Sequence, residues 1–212
     1  MTAPLTGLGL VLDDIATAEV ERLEALHVPL AEAIRELVDA AILTTTDEET
    51  VRSATTTVRE VTARLRREQV PGTAGVHHNA DGRAWNWGNA AVGLRNAAAP
   101  PLVMSTRTDG TAYGEATLGA AHEGPPGLAH GGVVALLLDH IMGVTASRYE
   151  RVTFTGTLTL RFLRGTPLGH VRVDARIDSA EGRKVVVVGS LSDAEGVTAE
   201  AEGVFVVPRW AI

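Results

Sequence analysis

The 212-residue chain contains no cysteine. That absence removes disulfide staples, cysteine nucleophiles, thiolate zinc sites and iron–sulfur clusters together. Aromatic residues are nearly as scarce, at 4% of the sequence, so a core must be packed from small aliphatic side chains. Positive charge is outnumbered. Nineteen Lys and Arg against 26 Asp and Glu leave a net charge of −7, without the broad basic footprint that nucleic acid demands. No apolar run approaches the roughly 18 residues of a membrane span. The longest, Gly131–Leu138, stops at Asp139. Met1–Leu12 has neither a basic start nor a small-residue cleavage site, so it reads poorly as a signal peptide. A cytoplasmic protein without a membrane span or a nucleic-acid partner is expected.

What is present changes character near Pro71. Before it, apolar positions recur at three to four residues (Ile15, Val20, Leu23, Leu26, Leu30, Ile34, Leu37, Val38), as on an amphipathic helix that Pro29 is expected to divide or kink. Thr46 with Glu49 three residues later has the form of a capping box. It would open a second helix carrying Val51, Val58, Val61 and Leu65. The basic run Arg64-Leu-Arg-Arg67 would sit at that helix's C-terminus, where positive charge suits the dipole. Residues 1–70 are thus expected as a helical extension, 71–101 as a loop-rich linker, and 102–212 as the main domain.

That domain begins with strands at Leu102–Thr106 and Thr111–Leu118 around an Asp109-Gly110 turn. His130–Arg148 is apolar nearly all round and reads as a buried helix. Long alternating strands follow at Thr153–Leu163, His170–Asp178, Lys184–Ser192 and Val197–Val207. A helix followed by an antiparallel run predicts an α+β architecture.

The chemistry concentrates where the loop Gly124-Pro-Pro-Gly-Leu-Ala-His130-Gly131-Gly132 enters that helix. Glycines let a ligand approach the backbone, and the first helical amides lack internal partners, so they can hold a developing oxyanion. Asp139 stands nine residues after His130, about two and a half turns into apolar surroundings. A carboxylate there is costly to bury without a partner. Other candidates are weaker. His77 and His78 with His122 lack metal-ligand spacing, because adjacent histidines in a strand point apart, so no metal is expected. His140 projects about 100° from Asp139 round the helix and is excluded as its dyad partner.

The order His130-Gly-Gly, six residues, Asp139, then Thr155-Gly-Thr-Leu-Thr-Leu-Arg-Phe-Leu-Arg-Gly-Thr-Pro167 resembles the hotdog-fold acyl-CoA thioesterases. It is most similar to the branch holding the phenylacetate-pathway enzymes and the human thioesterase-superfamily members. The resemblance covers about Leu102–Val207. It implies a long helix wrapped in a curved antiparallel sheet, an acyl-CoA substrate, no cofactor, and a homodimer or a tetramer built as a dimer of dimers with sites between protomers. Asp139 is implied as the catalytic base or nucleophile, the Gly131 N–H as the group that polarises the thioester carbonyl, and Thr155 as the residue that positions water. His130 is implied to shape the turn, with Gly132 beside the substrate. Arg148, Arg161 and Arg164 are candidate cations for coenzyme A phosphates. The chain departs from some relatives in having Gly124-Pro125-Pro126 where they carry Asn or Gln. The alternative function is a non-catalytic hotdog that binds acyl-CoA or serves assembly. A dehydratase would need a His/Asp or His/Glu dyad that the motif lacks.

Overall fold

The computed structural model describes residues 10–147 and 152–211. Along them run β1 (Leu10–Leu12), α1 (Thr17–Leu43), α2 (Glu48–Leu65), β2 (Val76–His78), β3 (Ala84–Trp85), β4 (Val103–Thr106), β5 (Ala112–Leu118) and a 3₁₀ turn (Ala120–His122). Then come α3 (Gly131–Ala146), β6 (Phe154–Phe162), β7 (Gly169–Glu181), β8 (Lys184–Asp193), β9 (Gly196–Val206) and a closing 3₁₀ turn (Arg209–Ala211). The main sheet is antiparallel throughout, in the order β4–β5–β7–β8–β9–β6. A small second sheet joins β1, β2 and β3.

Alternation along the strands decides which face α3 covers. In β7, Val171, Val173 and Ala175 are buried, while Arg172, Asp174 and Arg176 stand on the opposite face. α3 lays Val134, Leu137, Leu138, Ile141 and Met142 against that buried face and its continuation in Val187, Leu191, Ala199, Ala201 and Phe205. Each Val, Leu, Ile, Met or Phe among them contributes roughly 1.5–3 kcal/mol on leaving water. Two strand glycines bring the helix close. A Cβ at Gly189 would stand 3.0 Å from Met142 Sδ, and one at Gly203 would stand 2.6 Å from the Phe205 ring. The turns at Gly110, Gly182 and Gly196 all take positive φ, as their positions in the sequence suggest.

Two expectations about the N-terminal helices are corrected. Pro29 does not divide α1, which runs through it as one 27-residue helix. A proline removes only one ladder hydrogen bond, and Val20 and Ala31 are buried on either side of it. α2 is capped by Asp47, not Thr46. The Asp47 carboxylate accepts from both the Thr50 N–H and the Thr50 hydroxyl at 2.9 Å, and a charged acceptor is favoured at the positive end of a helix. α1 is tied to segment 71–101 through Glu24, which pairs with Arg83 at 2.9 Å and accepts from Trp87 Nε1 at 3.1 Å.

Phe205 is fully buried between α3 and the sheet. Phe205→Ala is expected to lower the unfolding free energy by about 3–5 kcal/mol, measured by urea denaturation. A change below about 1 kcal/mol would mean that α3 is not held by this face.

Candidate active site

The loop ahead of α3 is braced on two sides. Gly124 N–H donates to Leu128 O at 2.9 Å, Ala129 N–H to Thr166 O at 2.8 Å, and His130 N–H to His122 O at 2.8 Å. Gly124 must be glycine, since a Cβ there would lie 2.8 Å from the His130 Cα. Gly127 turns the loop at φ +73° while its N–H donates to Glu123 Oε1 at 2.6 Å.

His130 caps α3. Its Nδ1 accepts the Gly132 N–H at 2.9 Å, a bond that requires the proton of a neutral ring to sit on Nε2. The Gly132 amide is therefore spent on the cap. The Gly131 N–H, by contrast, has no acceptor among the described residues, and it lies at the positive end of a buried helix. The Phe162 ring sits over it, 3.3 Å from where a Gly131 Cβ would be.

Asp139 is half-buried, and its Oδ1 accepts the Thr155 hydroxyl at 2.9 Å. Simple alternation along β6 would put Thr155 on the wrong face, with Thr157, Thr159 and Arg161. A bulge between Thr155 and Thr157 reverses the phase. Thr155 pairs with the inward-facing Phe205, whereas Thr157 pairs with Val204 on the outer side. The signal for this was Gly156, a glycine inside a strand, which commonly marks a bulge. The partner that a carboxylate in apolar surroundings requires is thus supplied from the sheet.

The arginines are placed elsewhere. Arg161 is opposite Glu200 on the sheet face away from α3, in a cavity of about 560 Å³ shared with Arg107, Asp174 and Glu202. Arg164 forms a two-pronged ion pair with Asp193, donates also to Gly196 O at 3.1 Å, and holds the Asp193 carboxyl down at about 2. Neither is brought to Asp139, and Arg148 lies outside the described residues. Burial pushes the His140 imidazole below the usual histidine range, opposed by the adjacent Asp139 charge. Among the described residues no group of three or more His, Asp or Glu is arranged to hold a metal.

Residues 126–200 match the thioesterase superfamily model. Over those residues the chain is similar to the thioesterase superfamily, and its fold is the hotdog. The crystal structure of the thioesterase superfamily protein RHA08564 superposes with a TM-score of 0.76 at 28% identity, covering 93% of this chain and 98% of that one. That match extends across the N-terminal helical segment, which sequence motifs alone leave outside the superfamily. Among curated relatives, acyl-coenzyme A thioesterase THEM4 of Xenopus laevis is 39% identical over 64 residues, covering 30% of this chain and 29% of that protein. Acyl-coenzyme A thioesterase THEM5 of Homo sapiens is 34% identical over 90 residues, covering 41% and 36%. The matches thus span about a third of those relatives' lengths. A Bacillus halodurans protein solved with CoA shares the fold at a TM-score of 0.50 and 22% identity, covering 79% of this chain and 98% of that one.

The loop ahead of α3 is also touched from outside its motif. Asp39 on α1 accepts the Ala121 N–H at 3.4 Å and packs against Gly119, where a Cβ would lie 2.9 Å from its Oδ2. The turn it braces contains His122, whose carbonyl holds the His130 N–H. Asp39→Ala is expected to speed hydrogen exchange at the His130 amide severalfold, read by NMR, and unchanged exchange would show that α1 does not support this turn. A second outcome follows from Arg164–Asp193. Asp193 has its folded-state pKa depressed, so its contribution is present above the unfolded value near pH 4 and lost as pH falls towards about 2. The melting-temperature gap between wild type and Asp193→Asn is expected to be steady above about pH 5 and to close towards pH 2. A gap that does not vary with pH would exclude the ion pair.

Proposed function

We propose that the protein hydrolyses acyl-coenzyme A thioesters to a free acid and coenzyme A, with Asp139 as the general base. The observation that carries this is the Thr155–Asp139 hydrogen bond, which orients a half-buried carboxylate on an otherwise apolar helix. The names of the curated relatives and the CoA-bound neighbour support the substrate class.

Thr155 occupies one carboxylate oxygen and leaves the other free to accept a proton from water. The water oxygen bonds to the thioester carbon, and the carbonyl electron pair moves to oxygen, where the Gly131 N–H meets the developing charge. Collapse of the tetrahedral intermediate breaks the carbon–sulfur bond, and the departing sulfur takes the proton from Asp139. His130 keeps the Gly131 amide pointed outward by capping the next one.

One protomer does not supply both groups to one carbonyl. Eight residues of helix separate Gly131 from Asp139 by about 12 Å along the axis and by about 80° around it. The reaction therefore needs Gly131 of one copy and Asp139 of another. We propose a homodimer as the smallest active unit, formed along the edge strand β6, where Phe154 and Phe162 are about half exposed. Gly132 is kept in this proposal only as part of the substrate's surroundings, whereas Arg161, on the far face of the sheet, and Arg164, held by Asp193, are left out of it. A cytoplasmic location is proposed with it, on the sequence alone.

Because the chain has no cysteine, coenzyme A release can be followed with a thiol-reactive dye free of protein background. Asp139→Asn is expected to lower kcat by about 10²–10⁴-fold while acyl-CoA binding persists. If the wild-type protein binds acyl-CoA but turns over none of a broad panel, the protein is a binding module and the hydrolase reading fails.

A further inference from the structure

Two hydroxyls are buried behind the loop that leads into α3. Thr166 is 3% exposed and Thr198 not at all. Valine has the same shape and would fill either position without the desolvation that a hydroxyl suffers. A hydroxyl so placed needs a partner, and these two bond each other. The Thr166 hydroxyl donates to Thr198 Oγ1 at 2.7 Å, and the Thr198 hydroxyl donates in turn to Leu191 O at 3.3 Å.

A second irregularity in the main sheet delivers Thr198 to this position. Leu191 of β8 pairs with Ala199 of β9, but Ser192 pairs with Val197, so Thr198 is an extra residue without a partner in β8. Thr198 and Ala199 are consequently buried in succession, where regular alternation would turn one of them out. The Thr198 carbonyl accepts the Leu163 N–H at 2.8 Å and the Arg164 N–H at 3.3 Å. One bulged residue thus holds the start of the β6–β7 connection by its backbone and the middle of it by its side chain.

That connection carries the loop. Thr166 O accepts the Ala129 N–H at 2.8 Å, Leu168 N–H donates to Gly127 O at 3.1 Å, and Leu128 is bridged to Pro167 between them. Ala129 is two residues from Gly131. A continuous series therefore runs from Thr198 in the sheet, through Thr166 and Ala129, to the first amides of α3. Its spacing is set at the hydroxyl pair. The two oxygens share a proton at 2.7 Å, whereas methyl carbons in their place would stand about 3.5–4.0 Å apart. Methyls would shift Thr166, and the loop bonded to it, by roughly 1 Å. Catalytic geometry is sensitive to displacements of that size.

Resting on the role proposed for the Gly131 N–H, we propose that Thr198 is a positioning residue. Its hydroxyl, acting through Thr166, sets the distance from the Gly131 amide to the thioester carbonyl. Thr155 and Thr198 then serve the two halves of the site in the same way, each brought there by a bulge in its strand.

Stability and turnover together separate this role from simple packing. Thr198→Val leaves the Thr166 hydroxyl buried without its partner, so both melting temperature and kcat are expected to fall. Thr166→Val/Thr198→Val leaves no orphan, and its melting temperature is expected to return close to wild type. Its kcat is expected to stay about 10–10²-fold down with KM unchanged. Thr198→Ser keeps the hydroxyl and loses a methyl, so it is expected to be less stable than the double variant and yet more active. In Asp139→Asn, the infrared carbonyl stretch of a bound acyl-CoA, isotope-labelled at the carbonyl, is expected to rise in frequency when the two valines are added. Wild-type kcat in the double variant, or activity that follows melting temperature across the three variants, would overturn the positioning role. So would an unmoved carbonyl stretch. A wild type that binds acyl-CoA and hydrolyses none would overturn it together with the hydrolase reading, which every other outcome leaves standing.

Discussion

The burial of α3 against the six-stranded sheet is the interaction on which the rest of the structure depends. The chain has few aromatics, so the core is made from Val, Leu and Ala at close range, and Gly189 and Gly203 let Met142 and Phe205 fill the space between layers. A helix held so tightly presents its first amides in a fixed direction, and the role proposed for the Gly131 N–H depends on that. The same burial makes Asp139 expensive unless something in the sheet meets it. The bulge at Gly156 is the local irregularity that brings Thr155 to it. Core packing and site geometry are therefore consequences of a single contact surface.

Much of this was legible in the sequence because burial on one side of a sheet enforces alternation, and β7 shows that alternation cleanly. The glycine turns and the start of α3 were legible for an equally local reason, since positive φ and a loop-to-helix junction have residue signatures. The phase of β6 was not. Alternation extrapolated from Leu158 and Leu160 puts Thr155 outside, and only the resemblance to a family, not the pattern itself, pointed to it. The arginines illustrate a different failure. Arg164 is as basic in the sequence as any phosphate ligand, but whether it is free depends on Asp193, 29 residues further on, which the fold brings alongside. Charge partners distant in sequence are set by register, and register is a tertiary property.

The N-terminal helices reverse that relationship between pattern and structure. Their apolar periodicity is clear in the sequence, whereas α3 is apolar nearly all round, yet the structure buries only Val20 and Ala31 of α1 and nothing of α2. α1 is nevertheless anchored by Glu24 and by Asp39, the latter on the turn that supports the His130 loop.

The separation of Gly131 and Asp139 along one rigid helix makes association a condition of the proposed chemistry. No side-chain rotation closes about 12 Å, and bending a helix buried on most sides would cost more core than the site could return. If both groups act on one carbonyl, association has to precede chemistry, and the affinity between copies limits activity at low concentration.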